Sequence, residues 1–249
     1  MELPVGRPAM LPKIIGHRGV AGHAPENTLA SIRKAADMKV AWIEFDVMLS
    51  GDGDLVLMHD ETVDRTTNGK GRVADLSVAE LKQFDAGSWF ASRFRRERVP
   101  TLLETADLLS DLGLNANLEI KAAKGQEAET GWAVGRFLAT EWPQRLMAPI
   151  VSSFSKVALE AAAVEAPGFP RGLLVERIPR NWRAETTRLG CSLIHCNHRY
   201  LRKAEAAKIR DSGLHLLCYT VNEGRRARQL WNWGVDAVFS DYPDRLLDI

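Results

Sequence analysis

Short apolar runs, most with a polar final position, alternate along most of this chain with longer stretches of helical period. The runs fall at residues 14–17, 41–47, 114–121, 149–154, 172–176, 191–198, 214–222 and 235–241. Each is short enough for a strand. The stretches between them carry apolar residues three and four apart, as Leu102, Leu103, Ala106 and Leu109 do on a face expected to cover the outside of a sheet. Strands that alternate with helices predict parallel pairing. Glycine stands just before a run at positions 113, 190, 213 and 234, where a left-handed residue past a helix end turns the chain into the next strand. Eight such strands close a TIM (β/α)8 barrel, and 249 residues is the usual length of one. An open doubly wound sheet is the alternative, but Gly16, Gly19 and Gly22 lack the GxGxxG spacing of its phosphate turn.

Local signals refine this layout. Ser77 with Glu80, and Thr101 with Glu104, have the spacing of capping boxes, and Thr28 is placed to cap the first helix. Residues 47–49 and 55–58 read as a hairpin turning near Asp52 and Gly53, which would return His59 opposite Asp46. From residue 60 to about 100 the alternation breaks. That stretch exceeds an ordinary βα loop and predicts an inserted subdomain at the barrel mouth, within one domain spanning 1–249. Its aromatic residues, Phe84, Trp89, Phe90 and Phe94, read first as a small local core, with Trp89 and Phe90 the two most open to ligand contact.

Composition narrows the partners more than the fold. With 45% apolar and 26% charged residues the chain is ordinary globular material, and no segment has the apolar length of a bilayer crossing, so membrane insertion is not expected. A net charge of +1 offers no bulk attraction to nucleic acid, and the basic run from Arg93 to Arg98 reads as a solvated loop. Cys191, Cys196 and Cys218 lack CxxC spacing and sit in apolar contexts, which predicts buried reduced thiols. Met1-Glu2-Leu3-Pro4 has neither the basic nor the apolar region of an export signal. Both features point to the cytoplasm.

Three strand ends carry polar words aimed at one point. Residues two apart on a strand share a face, so Glu44 joins Asp46 while Ile43, Phe45 and Val47 take the other side, and Glu119 joins Lys121. Two carboxylates about 4 Å apart repel by roughly 4 kcal/mol at an effective dielectric near 20, so a site that collects three calls for a cation. His17 and His59 flank the acids, and Arg18 and Lys121 add fixed positive charge. These are the parts for cleaving a phosphodiester: charge neutralisation at phosphorus, one imidazole to remove a proton and another to return one. A metal-free salt-bridge network would leave the acids unbalanced. A non-catalytic phosphate-ester binder would use Arg18 and Lys121 but not the imidazole pair, and a sugar isomerase would not use the two cations. Oxygen ligands suit Mg²⁺ first, with Ca²⁺ or Mn²⁺ possible. His23, His195, His198 and His215 read as structural, and Glu26, Asn27, Glu176, Asn197 and Asp241 as minor polar candidates at the same mouth.

Longer words carry a resemblance: HRG at 17–19, PENT at 25–28, EFDV at 44–47, DGDLVLMHD at 52–60, DRTTNGKG at 64–71, DAGSWF at 85–90, LEIK at 118–121, SSF at 152–154, YTVN at 219–222 and GVDAVFSDYP at 234–243. Across nearly its whole length the sequence resembles the glycerophosphodiester phosphodiesterases, most closely the short cytoplasmic bacterial type. The resemblance implies a TIM-barrel hydrolase that converts glycerophosphodiesters, such as glycerophosphocholine or glycerophosphoethanolamine, into sn-glycerol 3-phosphate and an alcohol. It implies Glu44, Asp46 and Glu119 as ligands of one divalent ion, His17 and His59 as the acid/base pair, and Arg18 and Lys121 as phosphate contacts. It also implies attack by the substrate's own 2-hydroxyl to give a cyclic phosphate that water then opens. Tyr219 stands where the family often has tryptophan; either ring could line the glycerol pocket, and plain barrel packing is the alternative for Tyr219.

Overall fold

The structure, a computed structural model, describes residue 8 and residues 10–247; the Met1-Glu2-Leu3-Pro4 stretch weighed as an export signal lies outside them. The strands are β1 (Ile14–Gly16), β2 (Trp42–Leu49), β3 (Leu55–Leu57), β4 (Asn115–Ile120), β5 (Ile150–Ser153), β6 (Arg171–Val175), β7 (Leu193–Asn197), β8 (His215–Tyr219) and β9 (Ala237–Ser240). They hydrogen-bond in the order β1-β9-β8-β7-β6-β5-β4-β2-β3, and β1 also pairs with β2 through Gly16 and Ile43. Eight parallel strands therefore close a TIM barrel, with β3 antiparallel to β2 outside the ring.

Alternation along each strand divides inside from outside. Ile43, Phe45 and Val47 join Leu118 and Ile120 in the layer between barrel and helices. On the other face, Ile15, Trp42, Ile150, Leu193, Leu217 and Phe239 fill the interior below the site. Each such side chain contributes roughly 1.5–3 kcal/mol on burial, so the register that turns these residues inward and outward is strongly held.

Both capping boxes form, and Thr28 accepts a hydrogen bond from the Ser31 amide at the start of helix Leu29–Asp37. Glycines 113, 190, 213 and 234 all have positive φ, as the turn into a following strand requires. Helix Leu102–Leu112 buries Leu102, Ala106 and Leu109 but leaves Leu103 50% exposed. Leu103 lies about 100° round the helix from Leu102 and faces away from the barrel, contrary to the expected face.

The hairpin register also differs from the sequence reading. Val47 opposes Leu57 and Met48 opposes Val56, so Asp46 faces Met58, whose amide donates to the Asp46 carbonyl at 3.1 Å. The Ser50 amide donates to the Asp54 carbonyl, and Gly53 takes the left-handed position at φ +90. The turn is thus centred on Asp52 alone, and an odd turn shifts every cross-strand pair by one. His59 reaches the mouth as the first residues after β3 leave the sheet, not as the partner of Asp46.

Between β3 and helix Leu102–Leu112 the chain holds only short helical turns, at Val73–Asp75, Val78–Leu81 and Ser92–Phe94. Val63, Val73, Leu81, Ala86 and Val99, with Phe84 against them, pack onto Met48 and Val56 of the hairpin. Trp89, Phe90 and Phe94 form an edge-to-face series, and Trp89 is 41% exposed. Arg93, Arg95, Arg96 and Arg98 are exposed. Cys191, Cys196 and Cys218 are buried and free of disulfides. Among the described residues no helix is long and apolar enough to cross a membrane.

Candidate active site

At the C-terminal ends of the barrel strands, Glu44 and Asp46 on β2 meet Glu119 on the adjacent β4, one carboxylate oxygen from each lying within 4.8 Å of the others. All three are buried. Burial, then the Asp46 charge, raises the Glu44 carboxyl well above its ordinary range, and the same causes push Glu119 up to about 7. Glu44 Oε1 accepts no hydrogen bond from the protein. Acids held so close, with an unpartnered buried oxygen, fit a divalent ion: an all-oxygen donor set suits a hard cation, which would replace the retained protons.

Two cations border the cluster. The Lys121 ammonium lies 2.5 Å from Glu119 Oε1 and 3.8 Å from Asp46 Oδ1. Arg18 lies with Nε 3.3 Å from Asp46 Oδ2, donates through Nη1 to Glu26 at 2.6 Å, and donates its backbone amide to Glu44 Oε2 at 2.8 Å. Its φ of +50 is the backbone turn that aims this amide, at a cost of order 1 kcal/mol for a residue with a side chain. Asn27, at φ +55, clamps Asp46 at two points: its amide donates to Oδ2 at 2.9 Å and its carbonyl accepts from the Asp46 backbone at 3.1 Å. If all ionise, three carboxylates against Lys121 and Arg18 leave one negative charge; a divalent ion would reverse it to one positive charge, the complement of a phosphodiester monoanion.

Each imidazole is held by a carboxylate. His17 Nδ1 lies 2.7 Å from Asp241 Oδ1, and His59 Nδ1 lies 2.6 Å from Asp60 Oδ1. A carboxylate on Nδ1 sets the tautomer and leaves Nε2 for proton exchange; His17 Nε2 lies 3.9 Å from Glu44. Burial and the Arg18 and Lys121 charges lower the His59 pKa, against the pull of Asp46 and Asp60. Burial opposes ionisation of Asp241, but His17, Asn222 and Arg18 together hold that carboxyl below the usual range.

A cavity of about 180 Å³ is lined by His17, Arg18, Glu44, His59, Glu119 and Lys121, among others. Tyr219 and Phe154 wall it edge to face, 6.0 Å between ring centroids, and the Lys121 ammonium lies 5.3 Å from the Phe154 ring. The Tyr219 hydroxyl donates to the Val175 carbonyl at 2.9 Å, so the phenol is tethered to its own barrel. Trp89 and Phe90 border a shallower depression with His17, Arg18, Glu26 and Asp241. Asn197 donates to Glu176 at 2.9 Å, outside the cavity lining. Sequence reasoning passed over Asp60, Arg65 and Phe154. Asp60 and Arg65 were visible only as polar letters in longer words, and Phe154 as the polar strand end's apolar neighbour.

Fold and site together define a class: a barrel hydrolase whose mouth sets two carboxylate-held imidazoles and two cations around an acidic cluster that fits a divalent ion. Comparison with known proteins agrees. The model of the glycerophosphoryl diester phosphodiesterase family matches residues 17–245. A glycerophosphodiester phosphodiesterase of Caldanaerobacter subterraneus subsp. tengcongensis is 33% identical over 95% of this chain and 96% of its own. One of Bacillus subtilis is 33% identical over 92% and 83%. A solved phosphodiesterase of Oleispira antarctica, in complex with the product sn-glycerol-3-phosphate, superposes with a TM-score of 0.93 at 42% identity, covering 96% of both chains. The chain belongs to the glycerophosphoryl diester phosphodiesterase family and is an enzyme of that class.

Proposed function

We propose that this enzyme hydrolyses small glycerophosphodiesters, such as glycerophosphocholine and glycerophosphoethanolamine, to sn-glycerol 3-phosphate and the free alcohol. The observation that carries the reading is the pair of imidazoles, each fixed at Nδ1 by a carboxylate, lining one cavity with the acidic cluster. Arg18 and Lys121 hold the phosphate oxygens. One imidazole Nε2 takes the proton of the substrate's 2-hydroxyl as that oxygen bonds to phosphorus, and the other imidazole, protonated, gives its proton to the departing alkoxide. Water then opens the cyclic phosphate with the two roles reversed. Glu44, Asp46 and Glu119 would hold the divalent ion, which supplies Lewis-acid stabilisation of charge on the phosphate. Mg²⁺ is the first choice for this donor set, ahead of Ca²⁺ and Mn²⁺. The Tyr219 ring lines the glycerol side of the cavity, with Trp89 and Phe90 at the rim. The product held by the Oleispira antarctica enzyme supports sn-glycerol 3-phosphate as the product here.

We further read the chain as one catalytic domain, with residues 60–100 an insertion at its mouth, working in the cytoplasm, where free thiols persist. The test is a turnover assay on several glycerophosphodiesters with EDTA and with each metal added back. Release of sn-glycerol 3-phosphate that stops with EDTA and returns with metal is expected. Full activity after chelation, or no glycerol 3-phosphate from any diester, would defeat the reading.

A further inference from the structure

Beside the carboxylates, three buried polar side chains line the same cavity: Asn117, Ser152 and His195. Asn117 precedes Glu119 by two residues on β4 and shares its inward face, about 6–7 Å deeper along the strand; across the sheet it stands in register with Glu44, and Ser152 with Glu119. The Asn117 amide donates to Ser152 Oγ at 3.0 Å, while Asn117 Oδ1 has no partner. Neither ring nitrogen of His195 has one either. His195 is fully buried, its ring 5.2 Å from that of Phe239. It has room because position 172 is glycine; a Cβ there would stand 2.7 Å from His195 Nε2.

A buried polar atom without a partner costs about 1–3 kcal/mol, so three lining one cavity call for something to bond them. The chemistry of these three side chains is narrow. Burial drives the His195 pKa to about 3, so the ring is neutral, with one donor nitrogen and one acceptor. Asn117 Oδ1 adds an acceptor and the Ser152 hydroxyl a donor. Such a floor has no charge to offer a phosphate or carboxylate, but it matches a hydroxyl, which both donates and accepts. We propose that Asn117, Ser152 and His195 form a floor subsite for the terminal, non-esterified hydroxyl of the glycerol moiety, and so make the enzyme selective for a polyol over a simple alkyl ester.

This rests on the functional reading above, and the experiment separates the two. Calorimetric titration with Mg²⁺ present compares sn-glycerol 3-phosphate with 2-hydroxypropyl phosphate of matching configuration, which lacks only the terminal hydroxyl. Wild type should bind the glycerol ester about ten- to a hundredfold more tightly, the discrimination expected of a site that bonds a hydroxyl. His195→Phe, which keeps a ring beside Phe239 but removes both nitrogens, should bring the ratio near one. Ser152→Ala should lower it, and decides the matter if the phenylalanine variant does not fold. Equal binding of both compounds by wild type overturns the subsite and leaves the functional reading standing. A wild-type preference that survives in the variants also overturns it, leaving a floor occupied by water alone. If wild type binds neither compound, the functional reading fails and the subsite with it.

Discussion

Arg65 grips Glu26 and Asp60 at once: its Nη1 and Nη2 each donate to a Glu26 oxygen at 2.8 Å, and its Nε donates to Asp60 Oδ2 at 2.6 Å. Asp60 in turn holds His59, and Glu26 holds Arg18. One guanidinium from the segment after β3 thereby sets the positions of an imidazole and a cation that reach the cavity from different parts of the chain. The forked geometry matters, since an ammonium cannot engage both carboxylates along two faces.

Arg65→Ala should therefore lower kcat on glycerophosphocholine by roughly ten- to a hundredfold, the usual effect of losing a residue that orients a site's own ligands. Arg65→Lys should recover only part of the loss. Steady-state kinetics with circular dichroism as a folding control would check this, and a rise in KM with kcat intact would speak against a positioning role.

His17→Ala and His59→Ala should each reduce turnover by about 10² to 10⁴, the range for a positioned proton donor or acceptor. Asp241→Asn and Asp60→Asn should fall short of those losses, because each leaves the ring present and disturbs only its tautomer. A histidine variant that turns over at the wild-type rate would remove that histidine from the mechanism.

The acidic cluster makes metal-free stability depend on pH. Glu119 is pushed from 4.5 to about 7 in the fold, by burial first and by Asp46 second. Between those values the folded state keeps a proton that the unfolded chain has released, so stability falls as pH rises, by roughly 3 kcal/mol from this one group. Glu44 acts in the same direction. Asp60 and Asp241 are shifted downward and titrate below this window, whereas burial lowers His59 and His195, so these two add stability as pH rises toward 6.5 and oppose the carboxylates. The metal separates the carboxylates from these histidines: the gain in Tm from saturating Mg²⁺ over EDTA should grow from about pH 5 to 7, as the ion displaces the retained protons. A gain that stays flat or shrinks over that interval, or no gain at all, would contradict the assignment.

Gly172→Ala should destabilise the barrel by roughly 1–3 kcal/mol, because the added methyl meets the His195 ring in a packed interior. Urea denaturation would measure it. A loss below the error of that experiment would mean that the ring is free to move aside.

Much of this enzyme is written in short-range order. Two-residue alternation put Glu44 with Asp46 and Glu119 with Lys121; the hydroxyl and carboxylate spacing at Thr101 and Glu104 marked a helix start that forms as expected. Such features depend on backbone geometry over a few residues, which the order of side chains controls directly. Other relationships depended on how distant segments close upon each other. His17 finds Asp241 across 224 residues only because β1 and β9 are neighbours in the closed ring. Asp46 opposes Met58 because the turn at Ser50 to Asp54 is odd. His195, which as a lone histidine reads as structural, lines the catalytic cavity because glycine at 172 on the next strand leaves it space. Strand closure, turn parity and the space left by a missing side chain are properties of the assembled barrel, and no local pattern contains them.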